Sequence, residues 1–264
     1  MAAKDRILVT GGGTFLGDSI AAALLAEGVE VTLLVRPGAE DKLGSLTQRA
    51  RWYVADVWDP ASLKGRARGH TAVIHTVGSL KDDPAHGLTY QWLNFVSARN
   101  VANMCVSSGV PHLVLLSSVR APWINGQYIA AKREAEAYIP RVGLRSTIIR
   151  APIAYVRGAR RRPFYWLMSL LGGIPPLSWL WFRRAAPMPV DVLARGVARI
   201  TLEPRQHDAI FYARDLRRRN NRRELRRGIA EGEVQLKRRE PFYPVNEDTP
   251  FAWQPPSEAD QDSS

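Results

Sequence analysis

The chain has 264 residues, 45% hydrophobic and 23% charged, which excludes a wholly disordered polymer and suits one large domain or a domain with an appendage. Its 37 Lys and Arg outnumber its 25 Asp and Glu, for a formal charge of +12, so a negatively charged partner is expected: nucleic acid, anionic lipid or a phosphorylated cofactor. A single cysteine, Cys105, excludes an internal disulfide framework and any multi-cysteine metal site, and points to a reducing compartment. Met1 to Arg6 runs straight into an apolar strand, so no secretory signal is expected and the expected location is cytoplasmic.

In chain order, Arg6–Thr10 is a β-type apolar run and Phe15–Glu27 a helical pattern rich in alanine. Strands are predicted at Val31–Val35 and Trp52–Val54, and a short helix after Asp59-Pro60. Further strands fall at Ala72–Val77, His112–Ser117 and Ser146–Arg150, separated by helical stretches at Tyr90–Ser108 and Gln127–Ile139. Unbroken rather than alternating apolar strands imply helices on both faces. Regular β–α alternation then predicts an α/β fold of Rossmann type: a doubly wound parallel sheet, followed by a small C-terminal substrate region and an extended tail. The expected division is 1–156 for the nucleotide-binding domain, 157–213 for an apolar insert with a completing helix and strand, and 214–264 for an arginine-rich segment and tail.

The rhythm breaks after Arg150. Pro163–Phe182 is 20 residues without a charge, flanked by arginines on both sides. Gly172-Gly173 and Pro175-Pro176 cut it into pieces too short to span a bilayer. Phe164–Phe182, with Trp166, Trp179 and Trp181, therefore reads as an interfacial membrane hairpin, a hydrophobic lid over a substrate pocket, or a face covered by a partner subunit. Beyond it, Val190–Leu202 is an amphipathic helix started by Pro189, and Ala209–Tyr212 a short strand. Arg214–Arg227 holds eight arginines in 14 residues. It lacks interleaved aromatics and any nucleic-acid-binding motif, which disfavours nucleic acid; membrane-surface or subunit docking fits better, with a solvated helix face as the plain alternative. Together these features lead to the expectation of a peripheral position at the membrane.

Between the first strand and first helix lies Thr10-Gly11-Gly12-Gly13-Thr14-Phe15-Leu16-Gly17. Glycines at such a turn let backbone approach a pyrophosphate, and the helix N-terminus supplies free N–H groups and partial positive charge. Arg36 follows the second strand, where an acidic residue would accept from a ribose 2′-hydroxyl; a cation suits a 2′-phosphate, so NADP(H) is favoured over NAD(H). Tyr128-Ile129-Ala130-Ala131-Lys132 places phenol and ammonium on one helical face, where the cation lowers the tyrosine pKa toward working pH. Ser117 and Ser118 end the fifth strand, on the edge where open α/β sheets bind ligands.

These motifs resemble the short-chain dehydrogenase/reductase superfamily, in its extended and atypical branches. The resemblance implies hydride transfer with the nicotinamide cofactor, with Tyr128 as acid/base, Lys132 holding the ribose and Ser118 positioning a carbonyl. It further implies cofactor contacts at Gly11, Gly13, Thr14, Phe15, Leu16 and Gly17, at Asp56 and Val57 beside the adenine, and along Thr76, Val77 and Gly78. His75 is expected to serve packing or polar support. Asn94 and Asn100 are similar to asparagines of the family's fourth helix. The middle glycine of the family's loop is Thr14 here; its side chain is expected to narrow the approach to the phosphates or to donate to them. Val35-Arg36-Pro37, Ser117-Ser118 and Arg150-Ala151-Pro152-Ile153-Ala154-Tyr155 are similar to a branch containing the accessory nucleotide-binding subunit of respiratory complex I and reductase-like proteins of quinone biosynthesis. The expected function is an oxidoreductase acting on an apolar carbonyl or quinone-related substrate at the membrane surface. The alternatives are a non-catalytic accessory or assembly subunit of a membrane complex and, less favoured by the apolar insert, a nucleotide-sugar epimerase or dehydratase.

Overall fold

The structure, a computed structural model, describes residues 5–156, 186–203, 208–221 and 224–225. Its strands are β1 (Arg6–Gly12), β2 (Glu30–Val35), β3 (Arg51–Val54), β4 (Ala72–His75), β5 (His112–Ser118), β6 (Arg145–Ala151), β7 (Ala154–Tyr155), β8 (Met188–Pro189) and β9 (Ala209–Tyr212). The helices are α1 (Phe15–Ala26), α2 (Leu46–Arg49), α3 (Pro60–Leu63), α4 (Ser97–Ser108), α5 (Gly126–Arg141), α6 (Val190–Leu202) and α7 (Ala213–Arg218). Seven strands form one parallel sheet in the order β3-β2-β1-β4-β5-β6-β9. The order runs outward from β1 in both directions, so the switch between β1 and β4 opens a crevice at the carboxyl ends of the strands.

Alternate residues of each central strand serve opposite layers. Val9, Ile74, Val114 and Ile149 join α1 and α6 in one apolar cluster, while Leu8, Val73, Leu113 and Leu115 join α3, α4 and α5 in the other. Both α6 and β9 lie beyond residue 156, yet they complete this core: α6 packs on α1 and β9 pairs with β6. The short β7–β8 pair, Ala154 opposite Met188, holds together the chain on either side of the apolar insert. Phe164–Phe182 itself lies outside the described residues.

Local chemistry sets the element ends. Thr14 caps α1 by accepting from the Gly17 N–H, Asp59 caps α3 from Ala61 and Ser62 with Pro60 in the first turn, and Asn125 caps α5 from Gln127. Gly109 closes α4 in the left-handed conformation at φ 69°.

Two expectations need correction. The helix predicted at Tyr90–Ser108 begins as a π-helical turn, Gln91–Val96, which turns Asn94 fully inward before α4 continues. The strand at Trp52–Val54 forms, but as an edge: among the described residues no strand pairs beyond β3 and the short α2 and α3 do not cover it, so Trp52, Tyr53 and Val54 are all exposed. The Arg66 guanidinium stacks over the Tyr53 ring at 5.3 Å instead. The arginine stretch begins as folded structure. Leu216 of α7 is buried against α6, Arg219 pairs with Glu203 at 2.6 Å, and Asn220 donates to the Val192 carbonyl at 3.0 Å. Arg214 and Arg218 remain exposed. Among the described residues no helix is long and apolar enough to cross a membrane.

Candidate active site

The β1–α1 loop is built for close backbone approach. Gly11 and Gly13 have φ of 79° and 78°, which L side chains rarely adopt. A Cβ on Gly17 would stand 2.2 Å from the Gly11 carbonyl oxygen, so glycine alone lets α1 seat on the end of β1. Thr14, by contrast, has ordinary extended backbone (φ −109°) and needs no glycine. Its hydroxyl donates to the Gly11 carbonyl at 2.6 Å and accepts from the Gly17 N–H at 3.3 Å. The expected phosphate donor is thus spent inside the loop, where it braces the turn. Phe15 and Leu16 form the first turn of α1, half-buried, with N–H groups at the positive end of a 12-residue helix. Asp18, one turn in, is buried and accepts from the Gly13 N–H at 2.9 Å; burial pushes its carboxyl up to about 7, while that hydrogen bond pulls it back down.

The loop is tied to the neighbouring strand. Thr76 donates its hydroxyl to the Thr10 carbonyl at 2.6 Å, and its N–H to the Thr10 hydroxyl at 3.2 Å. His75 Nδ1 lies 3.0 Å from that same hydroxyl. Complete burial, with Lys132 nearby, holds the His75 imidazole down to about 3, so it is neutral at pH 7. Its role is the polar support expected of it. Val77 is buried, and Gly78 sits where a Cβ would meet Asn94 Oδ1 and Lys132 Nζ, both at 2.5 Å. Asn94 accepts from the Ser79 N–H and donates to the Ser79 carbonyl, both at 3.0 Å. Asn100 donates to the carbonyls of Val57 and Trp58 at 3.1 and 3.2 Å. The two asparagines thereby hold the loops that follow β4 and β3.

Arg36 at the end of β2 is half-buried beside Asp56; burial lowers its pKa and the Asp56 charge raises it. Asp56 accepts from the Trp58 N–H at 2.9 Å, and its own N–H donates to Ser62 Oγ at 2.9 Å. Arg36, Asp56 and Val57 thus share the end of the crevice nearest β2 and β3.

At the other end stand Ser118, Tyr128 and Lys132. Lys132 is buried and donates to the carbonyls of Leu116 at 3.3 Å and Val77 at 3.5 Å; burial pushes its ammonium down to about 8, with Glu136 opposing. Its Nζ lies 6.0 Å from the centre of the Tyr128 ring. Tyr128 hydrogen-bonds Ser118 and packs edge-on against Tyr90, ring centres 6.1 Å apart. Burial outweighs every attraction and pushes Tyr128 up to about 12; the hydrogen bond to Ser118 and the charge of Arg133 are what lower it.

Sequence reasoning missed the cluster that supports this trio. Glu136 is bracketed by Arg133 and by Arg150, which reaches it at 2.6 Å. Arg133 also donates to the Ser118 carbonyl at 2.8 Å, and Ser117 donates to Glu136 at 2.5 Å. Arg150 donates to the Tyr212 hydroxyl at 2.9 Å, tying β9 to β6. The two serines therefore divide the work, Ser117 to the ionic cluster and Ser118 to the tyrosine. The available signal was spacing: Glu136 lies four residues after Lys132, on the same face of α5. Asp18 was also missed, although a carboxyl in the first turn of a phosphate-binding helix is visible in the sequence.

The fold and its glycine loop together define a dinucleotide-binding protein of Rossmann type. The family described as NAD(P)H-binding matches residues 11–160, more than half of the chain, and the chain belongs to it. Among relatives, short-chain dehydrogenase/reductase family 42E member 1 of Xenopus laevis is 27% identical over 143 residues, covering 53% of this chain and 36% of that protein. Cinnamoyl-CoA reductase 1 of Oryza sativa subsp. japonica is 30% identical over 128 residues, covering 46% and 37%. The chain spans between 35% and 53% of the length of the curated relatives it matches. In structure it is similar to the dTDP-glucose 4,6-dehydratase DesIV of Streptomyces venezuelae, solved with NAD and TYD (TM-score 0.57, 22% identity, 77% of this chain and 74% of that one). That likeness shows the shared fold.

Proposed function

We propose that the protein is an NADP(H)-dependent oxidoreductase that acts on an apolar carbonyl or quinone-related substrate at the membrane surface. The observation that carries the reading is the convergence of Ser118, Tyr128 and Lys132 on the same carboxyl edge of the sheet as the β1–α1 loop, whose Gly11 and Gly13 hold the left-handed backbone of a phosphate-binding turn. When bound, the reduced nicotinamide supplies a hydride. Ser118 and Tyr128 then hydrogen-bond the substrate oxygen, and Tyr128 delivers the proton that the reduced oxygen takes up. Lys132 holds the ribose and keeps a positive charge beside the phenol as it gives up that proton. Arg36 favours the cofactor carrying a 2′-phosphate. The uncharged, tryptophan-rich Pro163–Phe182 supports an apolar substrate and contact with lipid or a membrane subunit.

One observation favours a second reading, a non-catalytic nucleotide-binding subunit of a membrane complex, with a place like that of the complex I accessory subunit. Tyr128 is buried under Tyr90 and its phenol is pushed up to about 12, away from acid/base work at neutral pH. The test is NADPH consumption with a panel of aromatic aldehydes and short-chain quinones, for wild type and Tyr128→Phe. The enzyme reading expects turnover that falls by about 10²–10⁴-fold in the variant with NADPH affinity retained. NADPH binding with no turnover in either protein would select the accessory reading.

A further inference from the structure

The β1–α1 loop carries a feature its nucleotide role does not call for. A phosphate-binding helix end works through free N–H groups and partial positive charge. Here the Asp18 carboxyl stands in the first turn of α1 and takes the Gly13 N–H at 2.9 Å. It is 6% exposed, and among the described residues no cation pairs with it.

The charged groups on the elements packed around it are committed elsewhere or exposed; Arg36, which follows β2, stands half-buried beside Asp56. From α6, Asp191 pairs with Arg195 at 2.9 Å, and Arg199 pairs with Glu27 at 2.7 Å and Glu224 at 2.9 Å. After β2, Glu40, Asp41 and Lys42 form a short helical turn beside Gly13, with Lys42 exposed. His75 and Lys132 lie across the sheet, among the layer of α4 and α5. An ionised Asp18 would therefore share one helix end with the two phosphates of a dinucleotide, without a compensating cation. Like charges in one desolvated site favour the protonated form of the weaker acid, and that acid is the carboxyl.

Resting on the cofactor reading above, we propose that Asp18 is a positioning residue whose protonation is coupled to dinucleotide binding: the loop takes up a proton from solvent as the pyrophosphate arrives. Bound as the neutral acid, Asp18 still accepts from Gly13, so the loop keeps its brace while its field becomes favourable to the anion. Burial prepares this coupling by raising the carboxyl up to about 7, within reach of neutral pH. The sign follows from linkage. The nucleotide binds the protonated form better, so affinity falls as pH rises above about 7, by at most about tenfold per pH unit for one proton. Lys132, pushed down to about 8, titrates in the same window and weakens binding in the same direction; its contribution persists when Asp18 is replaced.

The experiment is calorimetric titration of the full chain with NADH, which lacks the titrating 2′-phosphate, at about pH 8 in two buffers of different ionisation enthalpy. Wild type is expected to take up roughly one-half to one proton more per NADH than Asp18→Asn, and Asp18→Asn to bind more tightly at that pH. NADH binding with equal proton uptake in both proteins overturns the coupling and leaves the cofactor reading intact. Where NADH does not bind, the same comparison is made with NADPH, and no binding of either nucleotide by either protein at any pH overturns the cofactor reading and the coupling with it. A carboxyl-carbon NMR titration of unliganded wild type is independent of both binding and the variant's folding. The coupling expects the Asp18 resonance to move near neutral pH, and an Asp18 ionised from about pH 5 upward would overturn it.

Discussion

Glu136→Gln is the substitution that most sharply separates structure from chemistry in this site. The glutamate is 9% exposed and lies between Arg133 and Arg150, themselves 30% and 22% exposed. Glutamine keeps the shape and one acceptor for the Ser117 hydroxyl, but leaves two guanidinium groups facing each other without an anion. Breaking a buried ion pair from one side costs about 3–5 kcal/mol. Water still reaches part of both arginines here, so the expected loss is about 2–3 kcal/mol. It should appear in urea denaturation followed by tryptophan fluorescence, as a lower midpoint with unchanged slope. The double variant Glu136→Gln/Arg133→Gln should recover part of the loss, because the repulsion between the arginines is gone. A loss below about 0.5 kcal/mol would show that the cluster is a solvated surface group and refute its supporting role.

Other consequences follow from the same geometry. Gly17→Ala places a methyl 2.2 Å from the Gly11 carbonyl oxygen, so α1 must move off β1. The expected results are a loss of about 2–3 kcal/mol in stability and of measurable nucleotide binding, checked by thermal melting and by NADPH titration. Asp18 makes stability fall with rising pH, because the folded state keeps a proton to about 7 that the unfolded chain gives up at 3.8. The loss begins near pH 4, is complete above about pH 7, and amounts to about 4 kcal/mol. Asp18→Asn should therefore be more stable than wild type at about pH 8 and equal to it at about pH 4, and equal stability at both would contradict the buried carboxyl.

Much of the fold is legible from the chain alone, since buried parallel strands read as continuous apolar runs and the loop chemistry is local. Arg6–Thr10, the glycine turn, the helix that Pro189 starts and the strand at Ala209–Tyr212 all depend on neighbours in sequence. β3 misleads because Trp52, Tyr53 and Val54 look like core residues, while their exposure follows from β3 standing at the edge of the sheet among the described residues, which composition does not encode. The site was half visible. Tyr128 and Lys132 meet through helical spacing, and Gly11 to Gly17 through a contiguous motif. The tyrosine's pKa was not legible, because burial against Tyr90 depends on where the π-helical turn brings that ring. Nor was the bridge from Glu136 to Arg150, which joins α5 to β6.

The account turns on a nicotinamide dinucleotide seated against the β1–α1 loop with its adenosine end at Arg36. Titrating the purified protein with NADPH and with NADH, following nicotinamide fluorescence, tests this directly when wild type is compared with Arg36→Ala. The expected result is tighter binding of NADPH than of NADH, with the NADPH advantage falling about ten- to a hundredfold in the variant, as loss of a charge-assisted phosphate contact requires. Failure of wild type to bind either nucleotide would contradict the account.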